Sequence, residues 1–277
     1  MSQSRQTIKN ISNNIGRLED LPQPIVAHGR DLEKDDILPF HRHRRAQLVY
    51  ASNGVMTVTT HEAAYVVPSQ RAVWMPAEVE HQIDARSAVK MRTLYIDSQV
   101  SANLPAEVCV LQVTPLMREL IITSVAAGPE YSTGSPQERI MSVILDQIVT
   151  QPVASLALPL PSDPRLCRVT EALIRNPADS RDLDTWASEV GASKRTLVRL
   201  FPVQTGMTFR AWRQQRRLLR ALELLSTGIK VTAVALEVGY DNSSAFIAMF
   251  RRCLGTTPMR YQCDNAPPSP SAKLSDI

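Results

Sequence analysis

A chain of 277 residues with 44% hydrophobic and 21% charged side chains has the balance of a soluble globular protein. At roughly 100–200 residues per domain it holds two domains. No apolar run approaches the roughly 18 residues of a membrane span, and the opening Met1-Ser2-Gln3-Ser4-Arg5 lacks a secretion-signal core, so export is not expected. Cys109, Cys167, Cys253 and Cys263 stand without Cys-x-x-Cys spacing, which argues against a disulfide framework or structural zinc and fits a reducing cytoplasm. The net charge of +4 is unevenly spread. Residues 1–164 carry 14 basic and 17 acidic side chains, 165–263 carry 16 and 8, and 264–277 carry one and two. A strongly basic segment beside a slightly acidic one points to a polyanion-binding module next to a module with another task.

Taken in chain order, residues 1–22 read as a flexible arm. Residues 23–112 read as short strands in a sandwich or barrel. Gln47 to Ser52, then Asn53-Gly54, then Val55 to Thr59 predict a hairpin, because Asn-Gly supplies the two positive-φ positions of a type I′ turn. Further strands are expected at Ala64–Val67, Ala72–Met75, Gln82–Ile83 and Met91–Ile96, separated by Pro68, Pro76 and polar turns.

The pattern becomes helical over 113–150. Thr114-Pro115 reads as an N-cap with proline at the first helical position, ahead of Leu116, Leu120, Ile121 and Val125. Ser135-Pro136-Gln137-Glu138 reads as a capping box ahead of Ile140, Val143, Ile144 and Ile148. Two readings of these stripes stay open: both pack on the sheet, or one is left over for a second subunit. The four prolines of 151–164 block helix and ladder alike, so this stretch is expected to be a linker. The Pro-rich tail 264–277 is expected to be disordered.

The basic segment contains a repeat. Ala187-Ser188-Glu189-Val190-Gly191 is matched by Ala235-Leu236-Glu237-Val238-Gly239, and Phe201-x4-Gly206-x-Thr208 by Phe250-x4-Gly255-x-Thr257. Each copy has the parts of a helix-turn-helix: a small residue for close approach, a glycine for the turn, and a short polar cap, Ser193 in one and Asn242 or Ser243 in the other. Between them, Phe209 to Ser226 predicts one long helix with Phe209, Trp212, Leu219, Leu222 and Leu225 inward. Arg210, Arg213, Arg217 and Arg220 would form a basic flank, solvated at least in part.

On these residues, together with Leu183, Arg195-Thr196-Leu197, Arg199-Leu200-Phe201, Ala245-Phe246, Phe250-Arg251, Thr257-Pro258 and Tyr261, the segment 165–263 resembles the DNA-binding domain of AraC/XylS-type transcription regulators. The resemblance implies recognition helices at Lys194–Phe201 and Ser243–Arg252. Arg195 and Arg199 would face guanine edges, Lys194 and Thr196 would reach phosphates, and Val198 would lie outward beside them. Ser243, Ser244, Ile247 and Arg251 would form a weaker second reader. Pro202 stands where the family has a helix former, which implies an early end to the first recognition helix. Ala248 stands where relatives carry a base-reading polar side chain.

In the strand-rich half, His41 and His43 lie at i and i+2, on the same face if this stretch is a strand, with Gln47 four residues on and His81 later. The plain reading is a polar lining or surface histidines; the functional one is a metal or effector pocket. The spacing resembles the cupin barrel, whose motif carries Glu where this chain has Gln47. That resemblance implies an effector site that includes His41, His43, Gln47 and His81; Tyr50, Trp74 and Arg71 are additional candidates for it, each equally well explained as wall packing. It also implies a possible divalent transition metal on His41, His43 and His81. The histidine pattern is similar to that of regulators controlling transporter or efflux genes. A cupin-type metalloenzyme and a non-specific nucleoid-type DNA binder are the alternatives, but no P-loop, dinucleotide fingerprint, GxSxG or HExxH motif occurs.

The expected fold class is α+β. An N-terminal cupin-like sensor barrel (23–112) and dimerisation helices (113–150) precede a C-terminal all-α domain (165–263) of two helix-turn-helix units joined by a long helix. The expected function is that of a cytoplasmic, non-enzymatic transcription regulator, activating or repressing. Its partners would be a double-stranded DNA operator, RNA polymerase, a small-molecule effector and a second copy of the chain.

Overall fold

The computed structural model describes residues 17–101, 103–150, 153–154 and 156–264. They divide into two units with the boundary between Pro161 and Ser162. No helix among the described residues is long and apolar enough to cross a membrane.

The first unit is a cupin-like jelly roll of two antiparallel sheets. Its strands are β1 (Ile25–Leu32), β2 (Ile37–His41), β3 (Ala46–Asn53), β4 (Met56–Thr60), β5 (Ala63–Val67), β6 (Arg71–Met75), β7 (His81–Ala85), β8 (Val89–Ile96), β9 (Cys109–Gln112), β10 (Val153–Ala154) and β11 (Ala157–Pro159). One sheet runs β1-β8-β3-β6-β9-β10 and the other β11-β5-β4-β7-β2. Helices α1 (Pro115–Ala127) and α2 (Pro136–Thr150) pack on the first sheet. Met117, Ile121, Met141, Ile144 and Ile148 share a buried cluster with Leu48, Tyr50, Trp74 and Leu94. Each apolar stripe is therefore divided, with Leu116 and Val143 left exposed.

Both helix starts follow the sequence. Thr114 accepts from the Met117 N–H, and Ser135 Oγ accepts from the Glu138 N–H (3.2 Å). The returning arm of the box shifts by one residue: Glu138 Oε2 accepts from the Gly134 N–H, not from that of Ser135.

Three expectations change. The hairpin about Asn53-Gly54 is absent: β3 pairs with β6 and β8, while β4 pairs with β5 and β7 in the other sheet. Residues 46–51 are buried at every position, the mark of a strand covered on both faces and flanked on both edges. Asn53 does not adopt positive φ. Gly54 (φ +81°) instead carries the chain between sheets so close to the Ala88 carbonyl that a Cβ would lie 2.1 Å from its oxygen.

The prolines of 151–164 do not keep that stretch out of the sheets. Val153-Ala154 pairs with β9, and Ala157–Pro159 pairs with β5, at sheet ends where a missing N–H is tolerated. Residues 17–22 are held rather than loose. Leu18 is buried with Val26 and Tyr95, and the buried Arg45 donates to the carbonyls of Glu19, Leu21 and Gln23. Residues 1–16 of the expected arm, and 265–277 of the expected tail, lie outside the described residues.

The second unit is all helical: α3 (Pro164–Arg175), α4 (Leu183–Glu189), α5 (Lys194–Thr205), α6 (Phe209–Ser226), α7 (Val231–Glu237), α8 (Ser243–Leu254) and α9 (Pro258–Asp264). α4–α5 and α7–α8 are the two helix-turn-helix pairs, and α6 spans the predicted Phe209–Ser226. Its inward residues Phe209, Trp212, Leu219, Leu222 and Leu225 are all buried.

Candidate functional sites

A histidine cluster forms where β2 and β7 meet. His41 pairs directly with His81, and a register shift between Leu38 and His41 marks a β-bulge that re-aims the end of β2. His43 follows in the next loop, which the Glu78 N–H holds by donating to the His43 carbonyl (2.8 Å). Glu78 itself takes a left-handed φ of +64°. Ring centroids lie 4.9 Å apart for His41–His43, 4.5 Å for His41–His81 and 5.4 Å for His43–His81. One nitrogen from each ring falls within 4.8 Å of the others.

Backbone carbonyls set the tautomers. His41 Nδ1 lies 2.7 Å from the Pro39 carbonyl and His81 Nδ1 lies 2.9 Å from that of Val79. A carbonyl only accepts, so each Nδ1 carries the proton and each Nε2 keeps its lone pair. His81 Nε2 and both nitrogens of His43 are buried without a hydrogen-bond partner. Burial is the main force lowering all three pKa values. His43, further disfavoured as a cation by His41 and His81, is pushed down to about 3, and His81 to about 4. The cluster thus presents neutral imidazoles with unpaired donors, a nitrogen set suited to a divalent transition metal.

The other expected pocket residues divide. Gln47 donates to Thr93 Oγ1 (3.0 Å) and, across the strand pair, lies opposite Tyr95, whose ring contacts His43 at 5.1 Å. Tyr50 and Trp74 do not join the cluster. Alternation along β3 turns Leu48 and Tyr50 away from Gln47, into the core beneath α1 and α2. There Tyr50 donates to the Ser69 carbonyl and Trp74 to that of Pro105. Their hydrogen bonds satisfy a packed interior, which takes both out of the effector pocket and favours the wall-packing reading. Glu19, 22 positions before His41, was not visible as a neighbour in the sequence. Its Oε1 lies 3.6 Å from His43 Nδ1 and accepts from the Arg44 N–H at 2.7 Å.

In the helical unit, Ser193 and Asn242 cap α5 and α8, accepting from the N–H groups of Thr196 and Ala245. The open choice between Asn242 and Ser243 thus falls on Asn242. Lys194, Arg195, Val198 and Arg199 are exposed on α5, and Thr196 is partly exposed. Arg195 and Arg199 have no side-chain partner among the described residues. Lys194 is paired with Asp184 at 2.6 Å.

Pro202 does not end α5 early. The helix runs on to Thr205, and the bond that proline forgoes would have gone to Val198, a residue 54% exposed. On α8, Ser244, Ile247 and Arg251 are exposed and Ser243 is partly so. Sequence reasoning passed over a cleft of about 320 Å³ between α6 and α8, lined by Arg210, Arg213, Gln214, Arg217, Tyr240 and Arg252. Of the predicted basic flank, Arg210 is exposed. Arg213 and Arg217 donate to the carbonyls of Arg181 and Pro177, and Arg220 pairs with Glu223.

Residues 24–185 match the family described as the AraC-like ligand binding domain, and residues 186–263 match a helix-turn-helix domain family. The HTH-type transcriptional regulator NimR of Escherichia coli is 36% identical over 238 residues, covering 86% of this chain and 87% of that protein. The arabinose operon regulatory protein of the same organism is 28% identical over 138 residues, 48% of this chain and 47% of its own. The crystal structure of ToxT from Vibrio cholerae shares 12% identity at a TM-score of 0.38, covering 87% of this chain and 98% of that one.

Proposed function

Because this chain belongs to the AraC family of helix-turn-helix transcription regulators, we propose that its two helix pairs read one specific DNA operator and that its barrel adjusts this reading in response to an effector. The observation that carries the proposal is the pair of unpartnered, outward guanidinium groups, Arg195 and Arg199, on α5 of a duplicated reader. Arginine offers two parallel donors that match the O6 and N7 acceptors of guanine. Thr196 and, after exchange from Asp184, Lys194 serve as phosphate contacts. Arg210 and Arg252 of the basic cleft add to these, holding register without reading sequence.

α8 supplies Ser243, Ser244, Ile247 and Arg251. Its small and apolar side chains favour methyl contact and shape over bidentate hydrogen bonds. The exposed Leu116 and Val143 on α1 and α2 support association of two chains through this face. Such a dimer, bound beside a promoter, would present itself to RNA polymerase. In this reading the effector acts by shifting the readers between productive and unproductive arrangements. The targets would include a transporter or efflux gene, in keeping with the histidine pattern.

Selection of bound sites from random DNA by the full chain, followed by affinity measurement at fixed salt, tests the reading. A specific site should bind about 10³-fold or more tighter than random sequence. Equal affinity for all sequences would instead identify a nucleoid-type binder and overturn the operator reading.

A further inference from the structure

We propose that Glu19, from the segment preceding the barrel, is the positioning residue of the metal site that the cupin resemblance implies on His41, His43 and His81. It lets the three imidazoles hold one divalent transition-metal ion although Gln47 replaces the motif's Glu. The inference deepens the sensor reading by naming the chemical class of the effector, and the site itself stands on local geometry.

Three ring nitrogens within 4.8 Å of one another are close enough to share one ion. Three of the nitrogens in the cluster are buried without a partner, although buried polar atoms almost always find one. Two of the rings already have the outer support that metal-bound imidazoles use: Nδ1–H on a carbonyl, Nε2 free. The third ring, His43, lacks a backbone acceptor, and the carboxylate of Glu19 stands in that place, 3.6 Å from its Nδ1. A slight approach turns this contact into the hydrogen bond that fixes the His43 tautomer and leaves its Nε2 for the ion. Nitrogen ligands without an inner carboxylate or thiolate favour Zn²⁺, Co²⁺, Ni²⁺ or Fe²⁺ over Mg²⁺ and Ca²⁺.

The placement of Glu19 also has a regulatory sense. Its segment is tied to the barrel by Arg45, which donates to three of its carbonyls. Arg44 binds Glu19 through its N–H. Metal at His43 adds a further tie to the same short stretch, so occupancy of the site and docking of the segment reinforce each other.

The experiment is titration of the chelator-treated full chain with Co²⁺, followed by displacement with Zn²⁺. One Co²⁺ should bind per chain, with ligand-field bands of nitrogen and oxygen ligation and no thiolate charge-transfer band. Proton spectra of the Co²⁺-loaded chain should show three paramagnetically shifted, exchangeable imidazole N–H signals, a measurement that needs no variant. His41→Asn, at the least buried of the three rings, should abolish tight binding. Glu19→Gln should keep the stoichiometry while weakening affinity about 10–100-fold.

Absence of saturable Co²⁺ binding, or binding untouched by His41→Asn, overturns the site. Unchanged affinity in Glu19→Gln overturns the positioning role. Operator binding is scored on the same preparation, so a chain that binds DNA and no metal refutes this inference and spares the regulator reading. A chain that binds metal and no specific DNA does the reverse.

Discussion

The two helix-turn-helix units are one scaffold carrying two different surfaces. In both, a seven-residue helix precedes a twelve-residue one, and the longer helix ends on a left-handed glycine, Gly206 (φ +68°) or Gly255 (φ +71°). In both, a phenylalanine on the longer helix, Phe201 or Phe250, is fully buried. The outward faces diverge. α5 offers Lys194, Arg195, Val198 and Arg199, whereas the matching positions of α8 hold Ser243, Ser244, Ile247 and Ala248, with Arg251 exposed further along. A buried frame tolerates little change because each methylene is felt in a packed interior. The exposed positions are free to vary, so duplication can give one strong reader and one that mainly fits the groove.

Breaking the stronger face should have the largest effect. Arg195→Ala or Arg199→Ala should each cost about 1–3 kcal/mol of discrimination at one half of the operator. Ser244→Ala and Ile247→Ala should each cost less than about 1 kcal/mol, because they give up a methyl contact or a single hydroxyl. Competition between operator variants at fixed salt separates the two. Uniform loss on every sequence would assign Arg195 to phosphate and erase the contrast between the readers.

The turn glycines sharpen the comparison at the level of stability. Gly191 (φ +68°) faces open space, so Gly191→Ala should cost only the left-handed backbone strain, of order 1–3 kcal/mol. Gly239 (φ +82°) has no such room: a Cβ would lie 2.8 Å from the Ala178 Cα and 2.8 Å from Arg217 Nη2. Gly239→Ala should therefore add about 1–3 kcal/mol of overpacking to the same strain. Denaturant midpoints of the two variants measure the gap, and equal losses would show that the 176–179 turn yields easily.

How much of this was legible in the chain follows from the range of the forces involved. The double reader was readable because its signals are local: caps, a turn glycine and helical spacing lie within a few residues. Among its helix boundaries, the run of α5 past Pro202 escaped, since proline spoils a single bond and that bond lay on the exposed side. The barrel was readable as strands but not as pairings. Asn53-Gly54 has the composition of a tight hairpin, yet its flanking strands belong to different sheets, and no short window shows which strands β3 lies between.

The histidine triad was legible because His41 and His43 lie two residues apart, although β2 ends at His41 and the loop after it, not a shared strand face, brings His43 to the cluster. Tyr50 and Trp74 were misplaced because side-chain direction depends on register, and one position moves a residue to the other side of a sheet. Glu19 reaches His43 only through tertiary docking. Arg216, buried on α6 and bonded to the Ile174 carbonyl, likewise had no sequence signal among so many arginines.

The smallest expected effects lie at the starts of the two leading helices. Asp182 caps α4, accepting from the Thr185 N–H at 2.9 Å and from its hydroxyl at 2.8 Å. Lys230, in the same position before α7, makes no side-chain cap bond. Lys230→Ser should therefore stabilise the second unit by about 1 kcal/mol at any pH, by supplying an acceptor where none exists. At the first helix-turn-helix pair the contribution of the cap depends on pH. The Thr185 N–H, then its hydroxyl, holds the Asp182 carboxyl below the ordinary value of 3.8. A carboxylate whose folded pKa is depressed stabilises the fold fully above its unfolded pKa, and that stability is lost as pH falls through the folded value.

Asp182→Asn keeps a capping oxygen without a titrating proton. Its unfolding temperature should consequently fall less steeply below pH 3.8 than that of the parent chain, while Lys230→Ser runs parallel to the parent and above it. Asp163 and Asp179, also held low by their neighbouring arginines, titrate alike in all three proteins, so they cancel in the difference. Superimposed acid limbs for Asp182→Asn and the parent would remove the cap from the list of ways in which the two units differ, leaving the contrast to the outward side chains alone.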